Sequence, residues 1–167
     1  MPISPKSSFY SLLESGNLPL FYSLYDPLPR SEQEQLIFDY TLLSLRTQGE
    51  FSTDSKGCCY RTGSGLKCAV GFLISDSEYS PDMENNGVGV LVEHFSKQFP
   101  SDSHPFKLHA KLLRDLQFVH DISSESHAFE EPWDLEKAWK SWEAIMCKLA
   151  NALKLIYTPP PSPDPQV

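Results

Sequence analysis

Cys58-Cys59-Tyr60-Arg61-Thr62-Gly63-Ser64-Gly65-Leu66-Lys67-Cys68-Ala69-Val70-Gly71-Phe72-Leu73-Ile74 gathers three of the chain's four cysteines and three of its eight glycines. It also carries the clearest hairpin signal. The small or polar residues Thr62 to Gly65 separate two runs suited to a pleated surface, and glycine supplies the positive φ that tight strand connections need. With those four as the loop, Arg61 pairs with Leu66 and Cys59 faces Cys68. Cys59, Arg61, Leu66, Cys68, Val70, Phe72 and Ile74 then share one face, the better candidate for the core, and Cys58 and Tyr60 point the other way. A loop one residue longer pairs Tyr60 with Cys68 and exchanges the faces. In the rival reading Cys68 to Ile74 opens a buried helix, because so short an apolar run has no diagnostic period.

The flanks of this stretch read as helix. Residues 1–30 hold five prolines and read as an extended extension, with a turn or two of helix at Phe9 to Leu13. Ser31 and Glu34 have capping-box spacing, and a helix from about 32 to 47 follows, ending near Gly49 and buried around most of its circumference. Val88, Leu91, Val92, Phe95 and Phe99 keep helical spacing up to Pro100. Ser103 or His104 caps the next helix, with Pro105 tolerated in its first turn and Leu108, Leu112, Leu116 and Val119 as its stripe. Residues 122–131 are polar and read as a loop. Pro132 opens a last helix whose residues Leu135, Trp139, Trp142, Met146, Leu149, Leu153 and Ile156 alternate spacings of four and three, as in a long core helix or a seam between chains. The proline-rich tail, 158–167, reads as polyproline-like. These elements predict a single, mainly helical α+β domain over 31–157, with one β-hairpin packed against about four helices.

A chain of 167 residues carrying a net charge of −8 is large enough to bury a core without metal or disulfide help, and its acidic balance speaks against general nucleic-acid binding. No apolar run is long enough to span a membrane, and the first residues lack the apolar core of a signal peptide. Cytoplasmic residence, with reduced cysteines, is the expectation.

Few groupings carry chemistry. Cys68, His120 and Asp121 supply the residue types of a cysteine hydrolase in a plausible order, but neighbouring helical side chains diverge by about 100°, which counts against Asp121 orienting His120. The plainer reading makes Cys68 a small packing residue and His120 a helix-end group. Cys59 and Cys68, opposed in the hairpin, are the candidates for a zinc site or a cross-strand disulfide; their spacing matches no zinc knuckle or ribbon. His94, His104, His109 and His127 read as surface or cap residues. The acidic stretch Ser75 to Glu84 lacks the ligand positions of a calcium loop and reads as a solvated turn. No serine elbow, phosphate loop, zincin motif or dinucleotide fingerprint occurs.

Tyr60, Arg61, Gly65, Lys67, Cys68, Ala69, Gly71, Leu73, Ile74 and Asp76, then Tyr79 to Glu84, then Leu116, Gln117, His120 and Asp121, form a pattern that resembles a group of small bacterial and phage proteins without an established activity. The likeness covers roughly residues 58–121 and departs at Phe72, where a small residue or cysteine is expected. It implies a bacterial or phage context and no mechanism. The expected function is therefore a non-enzymatic, phage-type accessory or regulatory protein that binds another protein and needs no cofactor. The alternatives are a cysteine-dependent enzyme using Cys68 and His120, or a virion assembly protein. A homodimer through Trp139, Trp142, Met146 and Leu149 is the expected self-association.

Overall fold

The computed structural model describes residues 18–54, 57–98, 104–128 and 135–159. The expected turn at Phe9 to Leu13, Pro132, and the tail beyond Pro159 lie outside them. Among the described residues the chain is mainly helical with one small antiparallel hairpin: α1 (Leu18–Tyr25), α2 (Arg30–Gln48), β1 (Thr53–Asp54), β2 (Gly57–Cys58), α3 (Val88–Gln98), α4 (Pro105–Leu108), α5 (Ala110–Ala128) and α6 (Leu135–Leu153). Short 3-10 turns occur at Gly71–Leu73 and Pro81–Met83. The predicted α+β class holds. No described helix is long and apolar enough to cross a membrane.

The hairpin itself sits upstream of its expected place, with Thr53 opposite Cys58 and Asp54 opposite Gly57. The stretch from Cys58 to Ile74 keeps a single bridge, Arg61 to Lys67. Cys68 N–H donates to Tyr60 O and Thr62 N–H to Leu66 O, so the chain adopts the loop that is longer by one. Gly65 at φ 92 closes that loop, and Leu66 N–H donates to Thr62 Oγ1. After Cys68 the chain coils into the 3-10 turn at Gly71 instead of continuing as a strand. Gly71 is required there: a Cβ at this position would run into the Tyr60 carbonyl.

Residues 18–25 are not an extended connection. They form α1, whose Phe21 and Tyr25 are fully buried, with Pro19 in the first turn, where its missing N–H is harmless. The capping box at Ser31 does not form either. The helix α2 starts two residues earlier, after Pro29, whose carbonyl accepts from Glu32 N–H and Gln33 N–H. At its other end Gly49 takes the left-handed conformation (φ 76), with its N–H donating to Leu45 O, because a side chain at positive φ would be strained.

The polar stretch after Asp121 continues α5 to Ala128. Ser123 and Ser124 return their hydroxyl protons to the carbonyls of Val119 and Asp121 and stay buried inside the helix. Against α5 packs α6. Trp142, Met146 and Trp139 of α6 are buried within the chain, so the heptad spacing marks a core face, and the expected homodimer residues, Leu149 only partly so, are taken up by the chain's own packing. Trp139 stacks on Phe51 at 4.4 Å between centroids. Phe51 in turn meets the edge of the His120 ring at 5.4 Å, which ties the aromatic core to the region described next.

Candidate functional site: a cysteine, histidine and carboxylate beside a cleft

The realised register decides which thiol matters. Cys58, Tyr60 and Cys68 fall on one side and Cys59 on the other. Cys59 accordingly turns to Ser52, approaching its carbonyl at 3.9 Å and its hydroxyl at 4.0 Å. The expected opposition of Cys59 and Cys68 does not occur, and with it goes the expected pair of zinc or disulfide partners. Cys58, which the shorter loop would have turned away, comes to lie against α5 instead.

On α5, Gln117, His120 and Asp121 project toward Cys58. Cys58 Sγ and His120 Nδ1 are 3.2 Å apart, and the same ring nitrogen is 3.4 Å from Asp121 Oδ1. The expected divergence of His120 and Asp121 is thus overcome by the carboxylate bending back over its own helix. Among the described residues, Cys58, His120 and Asp121 are the group of three metal-ligating side chains whose donor atoms all lie within 4.8 Å of one another.

Gln117 holds the group together. Its Oε1 lies 3.4 Å from Val70 N, and since a backbone N–H can only donate, the amide orientation is fixed. Oε1 also accepts from the Cys68 thiol at 3.0 Å. The Nε2 end therefore faces the other way, donating to Asp121 Oδ1 at 2.6 Å and to Cys58 Sγ at 3.2 Å. Cys68, fully buried, receives the Gly71 N–H at 3.3 Å. It is a satisfied core thiol, whereas Cys58 is half-buried and faces a cleft of about 370 Å3. Tyr60, Asn85, Arg114, Phe118, Gln117 and Asp121 line that cleft.

The electrostatics leave Cys58 short of a cation. Hydrogen bonding with neighbouring Cys68 contributes most to pushing its thiol well above the ordinary range, followed by burial and then by the negative charge of Asp121. His120 is fully buried, and its Nε2 has no hydrogen-bond partner among the described residues.

Two kinds of chemistry use these residue types, and the geometry separates them. A nucleophile, base and orienter form a relay in which the imidazole meets the nucleophile with one nitrogen and the orienter with the other. Here Cys58 and Asp121 converge on the same nitrogen, which has one proton or one lone pair to offer, and the opposite nitrogen is buried with no hydrogen-bond partner among the described residues. Convergence of sulfur, imidazole nitrogen and carboxylate oxygen on one point is instead the arrangement of metal ligands. In a tetrahedral zinc site the bond lengths of about 2.0–2.3 Å place neighbouring donor atoms about 3.3–3.6 Å apart, close to the 3.2 and 3.4 Å seen here.

The carboxylates of the acidic stretch do not converge on a cation. Glu84 accepts from Tyr60 N–H, Arg61 N–H and the Tyr79 hydroxyl, Glu78 pairs with His104, and Asp76 pairs with Arg61 and Lys67. Of the histidines expected at the surface, His109 is buried between Glu34 and Gln33 of α2, and His104 caps α4 as expected by accepting from Phe106 N–H. No family model, curated protein or solved structure matches the chain.

Proposed function

We propose that the protein binds a single zinc-class ion through Cys58 Sγ, His120 Nδ1 and Asp121 Oδ1, and uses it on a small ligand that enters the adjoining cleft. The observation that carries this reading is the convergence of Cys58 and Asp121 on one nitrogen of His120. Gln117 supports it as an outer partner, since its two Nε2 hydrogens serve the sulfur and the carboxylate, the kind of support that orients ligands and tunes affinity. Cys68 bonds to Gln117 and lies outside the three-ligand group, so the protein supplies three donors. Three protein donors, where a closed structural site has four, would leave a metal ion able to take a further ligand, which is the pattern of a reactive site. A metal ion there supplies Lewis acidity and a water made acidic enough to act near neutral pH.

Cobalt titration followed by visible spectroscopy tests this. One equivalent should give a thiolate charge-transfer band and tetrahedral d–d transitions. Both should be lost in Cys58→Ser and His120→Ala and kept in Cys59→Ser and Cys68→Ala. Acetohydroxamate should shift the d–d bands by taking the open position. A spectrum that is unchanged in Cys58→Ser would defeat the proposal.

A second reading, a protein that binds another protein, is supported by Phe118 and Val90, which are 66% and 52% exposed on α5 and α3. Phe118→Ser with Val90→Ser should then abolish partner binding without changing the metal spectrum.

A further inference from the structure

The two thiols that Gln117 grips lie in one pocket with different exposures. Cys68 is sealed in the core, and Cys58 faces the cleft. The loop register puts both on the same side of the Tyr60–Cys68 pairing, and Cys68 is the neighbour that weighs most on the Cys58 thiol. The amide of Gln117 spans them, Oε1 at 3.0 Å from Cys68 Sγ and Nε2 at 3.2 Å from Cys58 Sγ. The other cysteines have different surroundings: Cys59 faces Ser52, and Cys147 lies on α6 within 4.0 Å of Asn151 Nδ2. Of the four cysteines, Cys58 and Cys68 are the two that share a side-chain partner.

We propose that Cys58 and Cys68 form a reversible disulfide when a peroxide enters the cleft, and that closing it withdraws Cys58 from the metal site and releases the ion. The inference rests on the metal-binding reading for its second half; the disulfide itself does not require a metal. As the Cys58 thiol gives up its proton, its sulfur attacks one peroxide oxygen, the O–O bond breaks, and the departing hydroxide takes up that proton to become water. The Cys58 sulfenic acid so formed is then attacked by Cys68 sulfur. The S–S bond forms, the S–O bond breaks, and the Cys68 proton leaves with the hydroxide as a second water. Two thiols are oxidised and one peroxide is reduced to two waters.

Once the disulfide forms, Cys58 no longer offers a thiolate, and only His120 and Asp121 remain as donors. Gln117 Oε1 also loses the Cys68 thiol proton and keeps the Val70 N–H alone. Both the ligand set and its outer support are weakened by the same bond. A reductant of the dithiol class restores them, because thiol–disulfide exchange returns both sulfurs to thiols.

The experiment treats the full-length, zinc-loaded protein with hydrogen peroxide. It follows intact mass, peptide mapping under non-reducing conditions, and zinc release to a chromophoric chelator, with dithiothreitol added at the end. The expected result is the loss of two hydrogens, a mapped Cys58–Cys68 link, release of the bound zinc, and recovery of both on reduction. Cys68→Ala should still load one zinc through the three ligands, form no link, and let Cys58 pass to the sulfinic acid, from which dithiothreitol gives no recovery. A parent protein that forms no Cys58–Cys68 link, or that forms it and keeps its zinc, overturns the proposal. Failure to load zinc at all would instead overturn the metal reading and the gating with it, and the mapped link would still decide the pairing of the thiols.

Discussion

Two clusters in this molecule each combine a histidine with a carboxylate, and they differ in whether the chain completes them. At Glu78 the carboxylate accepts the Ser75 N–H at 2.9 Å and faces His104 Nε2 at 3.7 Å, while His104 also caps α4 and stacks on Phe95 at 5.0 Å. The neighbouring His104 imidazole, followed by the hydrogen bonds from Ser75, holds the Glu78 carboxyl down at about 2 against the cost of burial. At Cys58 the balance runs the other way. Hydrogen bonding with Cys68, burial and Asp121 all disfavour the thiolate, and the buried His120 leaves one nitrogen unserved among the described residues. A cluster that the chain completes for itself is a strut. One that gathers anionic donors without a cation is arranged for something that arrives from outside.

The largest expected effect comes from removing a ligand. His120→Ala should abolish zinc binding, measured by competition with a chelator of known affinity, because two remaining donors do not hold the ion; retention of parent-like affinity would place the ion elsewhere. His104→Ala, the matching change in the other cluster, should leave zinc affinity unchanged and lower the melting temperature.

Next in size is Gln117→Leu, which keeps the volume and removes both ends of the amide. Metal affinity should fall by about 10–100-fold, the usual consequence of losing an outer partner. Gly71→Ala acts on the same support from beneath. The added methyl must displace the Tyr60 carbonyl or the Cys68 turn, costing about 1–3 kcal/mol as overpacking does. Chemical denaturation should show this loss even without metal, which separates a damaged support from a lost ligand.

The smallest effect is the pH dependence of the strut. Because Glu78 titrates at about 2 in the fold against 4.5 ordinarily, its contribution is fully present above 4.5 and fades as pH falls toward 2. Glu78→Gln should lower stability at neutral pH and flatten that acid limb; melting curves between pH 2 and 6 give the comparison.

Much of the helical framework was legible in the sequence because it depends on local signals. The Trp139, Trp142 and Met146 spacing, the stop at Gly49 and the His104 cap each follow from periodicity or backbone chemistry. What escaped depended on context. Pro19 and its neighbours gave α1 a composition that reads as linker, although Phe21 and Tyr25 anchor it in the core. Ser123 and Ser124 disguised the end of α5 as a loop by satisfying their hydroxyls on the helix itself.

Within the site, His120, Asp121 and Cys68 could be named from residue type, but Cys58 could not. A single extra loop residue exchanges Cys58 and Cys59 between faces, and no local propensity distinguishes Thr62–Leu66 pairing from the shorter alternative. Gln117 stood out in the sequence only through a resemblance. Its role appears once Val70 N–H fixes which end of its amide meets the two anionic donors.

The central claim is that Cys58, not Cys68 or Cys59, contributes the sole sulfur to a three-residue metal centre. X-ray absorption at the zinc edge, on protein loaded with one equivalent, reads that directly. The account predicts one sulfur at about 2.3 Å with the remaining ligands nitrogen or oxygen at about 2.0 Å, and no sulfur in Cys58→Ser. A shell of two sulfurs, or a sulfur contribution that survives Cys58→Ser, would contradict it.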